Sequence, residues 1–171
     1  MTFDLQPHLR GPTLSLRPLT ATDLDPLWQV SCDPLVWVQH PEPERATREG
    51  FGRFFSRGLD SGGALVVTDN ASGQVIGSSR YYEWDPQRRE VAIGYTFLAR
   101  SHWGGAANPE MKRLMLDHAF RWADTVWFHV ASSNLRSRRA MEKIGGHLAY
   151  EGQRPVQDQL IDFVYYRIDK P

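Results

Sequence analysis

The chain has 171 residues, 41% of them hydrophobic and 23% charged, which suits one domain around an ordinary core and leaves little room for two. Lys plus Arg and Asp plus Glu number 20 each, and this balance argues against a dedicated nucleic-acid surface, which needs a clustered basic excess. The lone Cys32 cannot form an internal disulfide, residues 1–11 are too polar for a secretory signal, and no apolar run nears the ~20 residues that span a bilayer. We therefore expect a cytoplasmic protein, residues 1–171 forming a single domain, with no membrane, nucleic-acid or metal partner.

Residues 13–17 alternate apolar and polar, Leu14 and Leu16 against Ser15 and Arg17, and predict a first strand ended by Pro18. Thr20 with Asp23 three residues later resembles a capping box, and Leu24, Leu27 and Trp28 place a helix over 21–30. A second helix is expected over 45–59, with Phe51, Phe54 and Phe55 on one face. The period then changes to two. Strands over 64–68, 74–84 and 90–98, separated by turn residues, predict an antiparallel meander, the last with Val91, Ile93, Tyr95 and Phe97 on one face. A glycine loop, 101–106, leads into the best helical pattern: Met111, Leu114, Met115, His118, Ala119 and Trp122 recur at helical spacing, and Pro109 and Glu110 suit the first turn. A short strand over 125–130, a helix over 137–144 stopped by Gly145-Gly146, and strands over 147–153 and 161–168 close the chain. Mostly antiparallel strands with one strand–helix–strand crossover predict an α+β fold, helices flanking a mixed central sheet.

The segment from Glu90 to Trp122 carries the main chemical signal. Glycines let backbone N–H groups approach a ligand, and at a helix N-terminus those groups and the helix dipole form an anion site for which a pyrophosphate is a natural guest. The loop lacks the lysine of a nucleotide-triphosphate loop, and Gly104-Gly105 does not supply the three glycines of a dinucleotide motif. Alone it reads equally well as a tight turn. A basic cluster, Arg136, Arg138, Arg139 and Lys143, follows the next strand; it either faces a phosphate-rich ligand or forms a solvated helix face.

Together these pieces resemble the GNAT N-acetyltransferases, in particular the branch that includes ribosomal-protein N-terminal acetyltransferases. The resemblance runs through nearly the whole chain. It rests on Leu14-Ser15-Leu16-Arg17-Pro18-Leu19, on Ile93-Gly94-Tyr95, on Trp103-Gly104-Gly105-Ala106-Ala107-Asn108 with the helix behind it, and on Asn134 with Ser137-Arg138-Arg139-Ala140-Met141-Glu142-Lys143-Ile144-Gly145. It implies a sheet whose fourth and fifth strands, here 90–98 and 125–130, splay around the pantetheine arm of acetyl-CoA, the cosubstrate. The strand edge at Phe97, Leu98 and Ala99 would bond the pantetheine amides. The backbone of His102, Trp103, Gly104, Gly105, Ala106 and Ala107 would hold the pyrophosphate. Asn134 would contact the arm, and Ser137 would lie near the sulfur and assist the leaving thiolate. The implied activity is acetyl transfer to a primary amine, on a protein or peptide N-terminus or a small molecule, by direct attack in a ternary complex; a homodimer is compatible with it.

Three positions depart from the family pattern. Ser101 stands where a Gln or Arg opens the loop, Met141 where many members carry a tyrosine acid, and Ala92 where this branch often has a glutamate. Glu90, on the same strand face as Ala92, is the candidate base through water, with a plain strand-end carboxylate as the alternative. His102 and His129 read equally well as loop and strand histidines. Trp37, Tyr81, Tyr82 and Trp84 are candidates for an acceptor pocket or for the core. The departures also permit a second class of function, an acyl-CoA-binding regulatory module with little or no transferase activity.

Overall fold

The computed structural model describes residues 2–171. Its centre is a sheet of eight strands: β1 (Leu9–Arg10), β2 (Leu14–Pro18), β3 (Ala64–Asp69), β4 (Val75–Asp85), β5 (Glu90–Leu98), β6 (Thr125–Ala131), β7 (His147–Val156) and β8 (Gln159–Asp169). Their order is β1-β2-β3-β4-β5-β6-β8-β7, and every neighbouring pair is antiparallel except β5 and β6. Four α-helices flank the sheet: α1 (Leu24–Ser31), α2 (Arg48–Ser61), α3 (Ala107–Ala119) and α4 (Leu135–Lys143). The α+β architecture matches the expectation. No helix among the described residues is long and apolar enough to cross a membrane.

Local chemistry sets the helix ends. Asp23 accepts from the Thr20 backbone N–H at 2.8 Å, and the turn Ala21–Asp23 is 3-10 before α1 begins. The expected start of the second helix is likewise a separate 3-10 turn, Pro43–Ala46; Thr47 caps α2 by accepting from Gly50 N–H at 3.1 Å. Gly62, at φ 69°, ends α2 in the left-handed conformation. Glu110 does more than favour the start of α3. Its buried carboxylate accepts from Leu14 N–H at 2.8 Å and Thr13 Oγ1 at 2.7 Å, tying α3 to the start of β2.

Each face of the sheet buries its own core. Leu14, Leu16, Val91, Ile93, Met111 and Met115 pack between the sheet and α3. Leu27, Trp37, Phe51, Phe54, Val66 and Phe97 pack between the sheet and the pair α1 and α2. The predicted single face of β5 therefore fails. Opposite β4, Gly94 pairs with Arg80 but Phe97 pairs with Ser78, so β5 carries one extra residue. Tyr95 sits in this bulge at φ 52° and is left 41% exposed. A bulge resets the alternation: beyond it Phe97 joins the α1–α2 core and Leu98 the α3 core.

Candidate functional site

Strands β5 and β6 are paired only at Glu90 with Thr125, Val91 with Val126 and Ala92 with Trp127. Beyond Ala92 they part, while β6 stays paired with β8 as far as Ala131. The cleft thus opens along one edge of β5, which includes Phe97 and Leu98, and the bulge at Tyr95 lies at its closed end. Ala99 lies just beyond β5, its N–H bonded to Ile76 O at 2.8 Å on the β4 side.

The loop after β5 presents donors. Gly104 has φ 72°, and no described residue accepts from the N–H groups of Gly104, Gly105, Ala106 or Ala107. Nothing lies within 4 Å of the point where a Cβ would stand on either Gly104 or Gly105. Free amides, open space and the N-terminus of a 13-residue helix fit a phosphate group. Trp103 is anchored rather than free: its Nε1–H donates to Leu98 O at 2.9 Å. The Arg136 guanidinium lies 3.8 Å from the Trp103 ring centroid and donates to Val36 O at 3.0 Å, so α4 touches the loop across the mouth of the cleft. His102 is engaged at both ring nitrogens, with Ser101 Oγ at 2.9 Å and Asp69 Oδ2 at 3.1 Å.

On the far wall, buried Asn134 caps α4, its Oδ1 accepting from Ser137 N–H at 3.2 Å. The half-buried Ser137 hydroxyl has no hydrogen-bond partner among the described residues. Of the basic cluster, Arg138 donates to Ser132 O at 3.1 Å, and Arg139 and Lys143 are exposed. Met141 is buried in the α3 core. Glu90 lies at the paired end, opposite Thr125 and 3.5 Å from Arg88 Nε. Of the four aromatic candidates for an acceptor pocket, Trp37 belongs to the α1–α2 core, Tyr81 to the α3 core, and Trp84 packs against the α3 core; Tyr82 reaches across β5 to bond His129 on the parted strand β6.

Sequence reasoning missed Lys112. Only 6% exposed, it extends from α3 to donate to Thr96 Oγ1 at 2.8 Å, with its Nζ 5.5 Å from the Phe128 ring. Thr96 and Phe128 belong to the two parted strands, so the ammonium lies under the cleft. Burial lowers its pKa to about 7. The signal was present: Lys112 falls three residues before Met115 and seven before Ala119, on the apolar stripe of α3.

His129 reads from the sequence as a strand histidine, and the structure gives it more partners than that. On β6 it faces away from the α3 core, and its Nδ1 accepts from Tyr82 Oη at 3.0 Å and from Arg154, whose other terminal nitrogen donates to Glu83 at 3.0 Å. This assigns the ring proton to Nε2, 4.0 Å from the Glu83 carboxylate. Burial first, then the Arg154 charge, lowers the imidazole pKa to about 4. The ring is neutral at pH 7, one flank against Tyr82 and the other against Tyr165 at 4.9 Å.

No curated protein matches the sequence. Solved structures do match the fold. The chain is similar to a GCN5-related N-acetyltransferase from Brucella melitensis, with TM-score 0.85 and 22% identity over 96% of this chain and 79% of that one. It is similar to RimJ from Mycobacterium smegmatis, solved in complex with CoA-disulfide, with TM-score 0.72 and 18% identity over 96% of this chain and 86% of that one. A Vibrio cholerae protein provisionally designated a ribosomal-protein-serine acetyltransferase gives TM-score 0.78 and 13% identity over 99% and 100% of the two chains. The family model described as acetyltransferase (GNAT) domain matches residues 13–147, most of the chain, and this protein belongs to that family, whose members use acetyl-CoA as cosubstrate.

Proposed function

We propose that the protein transfers an acetyl group to a primary amine, on a peptide N-terminus or a small molecule, by direct attack in a ternary complex in the cytoplasm. The observation that carries this reading is the parting of β5 from β6 beside a loop whose amides are free. The free amides of Gly104, Gly105, Ala106 and Ala107 hold the pyrophosphate end of acetyl-CoA, and the β5 edge at Phe97 and Leu98 holds the arm with Asn134. The expected amides of His102 and Trp103 are instead donated to Ala99 O and Arg100 O at 2.9 and 3.0 Å, and Ala99 is bonded through both its N–H and its carbonyl, so these three backbones are not available. Acetyl-CoA, once bound, supplies the activated acyl group.

The chain's own residues then have three tasks. Holding amine and acyl carbon together provides most of the acceleration, on the order of 7 kcal/mol or more in well-oriented cases. Backbone donors at the bulge polarise the carbonyl. Protons are handled by groups of modest strength, since Met141 and Ala92 supply none. The acceptor amine attacks in its neutral form, and Glu90 receives a proton through water only after attack. Ser137 offers a hydroxyl to the departing sulfur, and Lys112, with a pKa of about 7 beneath the cleft, offers a proton there.

The test is thiol release from acetyl-CoA with a panel of amines over pH 6–10. With no strong base, the rate follows the acceptor's own pKa and rises into the alkaline range. A lower limb that stays near pH 6 for two acceptors of different pKa, and vanishes in Glu90→Gln, would assign the step to Glu90 as a dedicated base. Tight acetyl-CoA binding with no turnover of any amine would point to a regulatory acyl-CoA-binding module.

A further inference from the structure

The face of the sheet that meets α1 and α2 carries more positive charge than its own acids neutralise. Arg45 is 4% exposed and pairs with Glu42; Arg57 reaches the same Glu42 only at 3.9 Å. Arg80, on β4 opposite the bulge residue's neighbour Gly94, has no carboxylate at all. It is 7% exposed, its Nε is sealed from solvent without a partner, and its terminal nitrogens form no hydrogen bond with any described residue. Its guanidinium carbon lies over the Tyr95 ring, 3.9 Å from the centroid, and 5.7 Å from that of Phe54. Rings stabilise a cation but supply no hydrogen-bond acceptor in the guanidinium plane.

A buried, unpaired guanidinium is costly and is ordinarily matched by an anion. Glycine at position 58 leaves the guanidinium uncrowded. A Cβ on Gly58, in mid-helix where alanine favours helix better, would stand 3.3 Å from an Arg80 terminal nitrogen and 3.3 Å from Leu19. The space bounded by Arg80, Gly58, Phe54 and Tyr95 is narrow and mostly enclosed, enough for about one water-sized oxygen, and Tyr95 on its lining is 41% exposed.

We propose that Arg80 is the anchor of an acceptor subsite for a carboxylate, so that the amine this protein acylates is one that also carries an acid group. The planar fork matches a carboxylate through two parallel N–H···O bonds, and Arg57 and Arg45 add to the attraction. The carboxylate reaches Arg80 along the ring of Tyr95, which leaves the amine at the bulge. The acid belongs either to an amino acid or to an acidic residue beside a peptide N-terminus. This inference rests on the transferase reading for the position of the amine, but the anion site itself is tested without turnover.

Glutarate is titrated into the free protein, without acetyl-CoA, and followed by calorimetry and melting temperature, with glutaramide as the neutral control. Saturable binding is expected for glutarate alone, weakened about tenfold or more in Arg80→Gln, as for loss of one charge-assisted pair. Acetylation is then compared for 4-aminobutyrate against butylamine, and for the peptide amide Asp-Ala-Ala against Asn-Ala-Ala. A kcat/KM preference of about tenfold for an acid-bearing acceptor, collapsing toward one in Arg80→Gln, supports the subsite; which pair shows it identifies the source of the acid. Absence of glutarate binding in the natural protein, or the same preference in both proteins, overturns it. Glutarate binding through Arg80 with no amine turned over leaves the subsite standing and defeats the transferase reading. If Arg80→Gln does not fold, Arg80→Lys and Gly58→Ala replace it: the first keeps charge without the fork, the second crowds the guanidinium, and unaltered glutarate affinity in both overturns the subsite.

Discussion

At the scale of single residues, the loop glycines and Lys112 invite opposite experiments. Gly104 stands at φ 72° with open space beside it, so a side chain would be strained and would project into the place a phosphate needs. Gly104→Val should weaken coenzyme A far more than pantetheine without its phosphates. Stability should fall by about 1 kcal/mol, the ordinary cost of a strained backbone conformation. Equal loss for both ligands would show that the loop does not hold phosphate. Lys112 is a stability question as much as a mechanistic one. Its folded pKa of about 7 lies below the ordinary lysine value of 10.5, so between those values the unfolded chain binds more protons than the folded one. Stability therefore rises with pH through that window. Lys112→Met should be more stable at pH 7 and should flatten the rise in urea midpoint between pH 7 and 10. A variant with the same pH dependence as the natural chain would mean that the ammonium is solvated.

At the scale of elements, the informative joints are the caps and the bulge. Asn134 holds the first turn of α4 against the cleft, and Asn134→Ala should cost about 1 kcal/mol in urea unfolding as a lost cap. Its acetyl-CoA affinity should also fall, since the same turn carries Ser137 and the Arg136 contact with Trp103. Unchanged stability and unchanged affinity together would remove Asn134 from both roles. The strands and helices were legible in the sequence because their periods are strong: the stripe of Met111 and Met115 made α3 plain, and three runs of period two made the meander plain. The family resemblance implies a bulge where the two strands splay, but its position was not legible in the residues. Ile93-Gly94-Tyr95 keeps a strand-like composition while Tyr95 adopts a backbone conformation that tyrosine seldom takes, and only the register against β4 reveals the extra residue. Leu9–Arg10 was missed because two residues have no period, and the 3-10 turns at Ala21–Asp23 and Pro43–Ala46 were merged into helices because capping residues look alike before either kind of turn. The charged members of the site were hidden for a related reason. Arg80 and Lys112 look like solvent-facing charges in a sequence, and their burial depends on which strand or helix covers them.

At the scale of the whole molecule, the α1–α2 side of the sheet concentrates buried basic groups, and this shapes the response to acid. His40, packed against Trp37 at 5.5 Å, has its pKa lowered to about 3 by burial first and then by Arg45 and Arg136. His129, on the same side, is lowered to about 4 by burial first and then by Arg154. Both lie below the ordinary value of 6.5, so as pH falls through 6.5 the unfolded chain takes up protons that the folded chain refuses. Folding stability must then fall with pH, by at most about 1.4 kcal/mol per pH unit for each histidine, and the loss ends only near the folded values. The lowered carboxylates, Asp23, Asp33, Asp69, Asp124 and Asp169, lose their contribution in the same direction but only as pH falls through about 3.8 and below. The interval from pH 6.5 to 4.5 thus separates the histidines from the acids. Urea midpoints measured at pH 7, 6, 5 and 4.5 should fall steadily for the natural chain. In the double variant His40→Gln, His129→Gln the midpoint at pH 7 should drop, through loss of the Tyr82 and Arg45 contacts, while the slope between pH 6.5 and 4.5 becomes shallow. Parallel slopes would mean that both rings accept protons freely in the folded state, and the basic enclosure of this face would then be open to solvent.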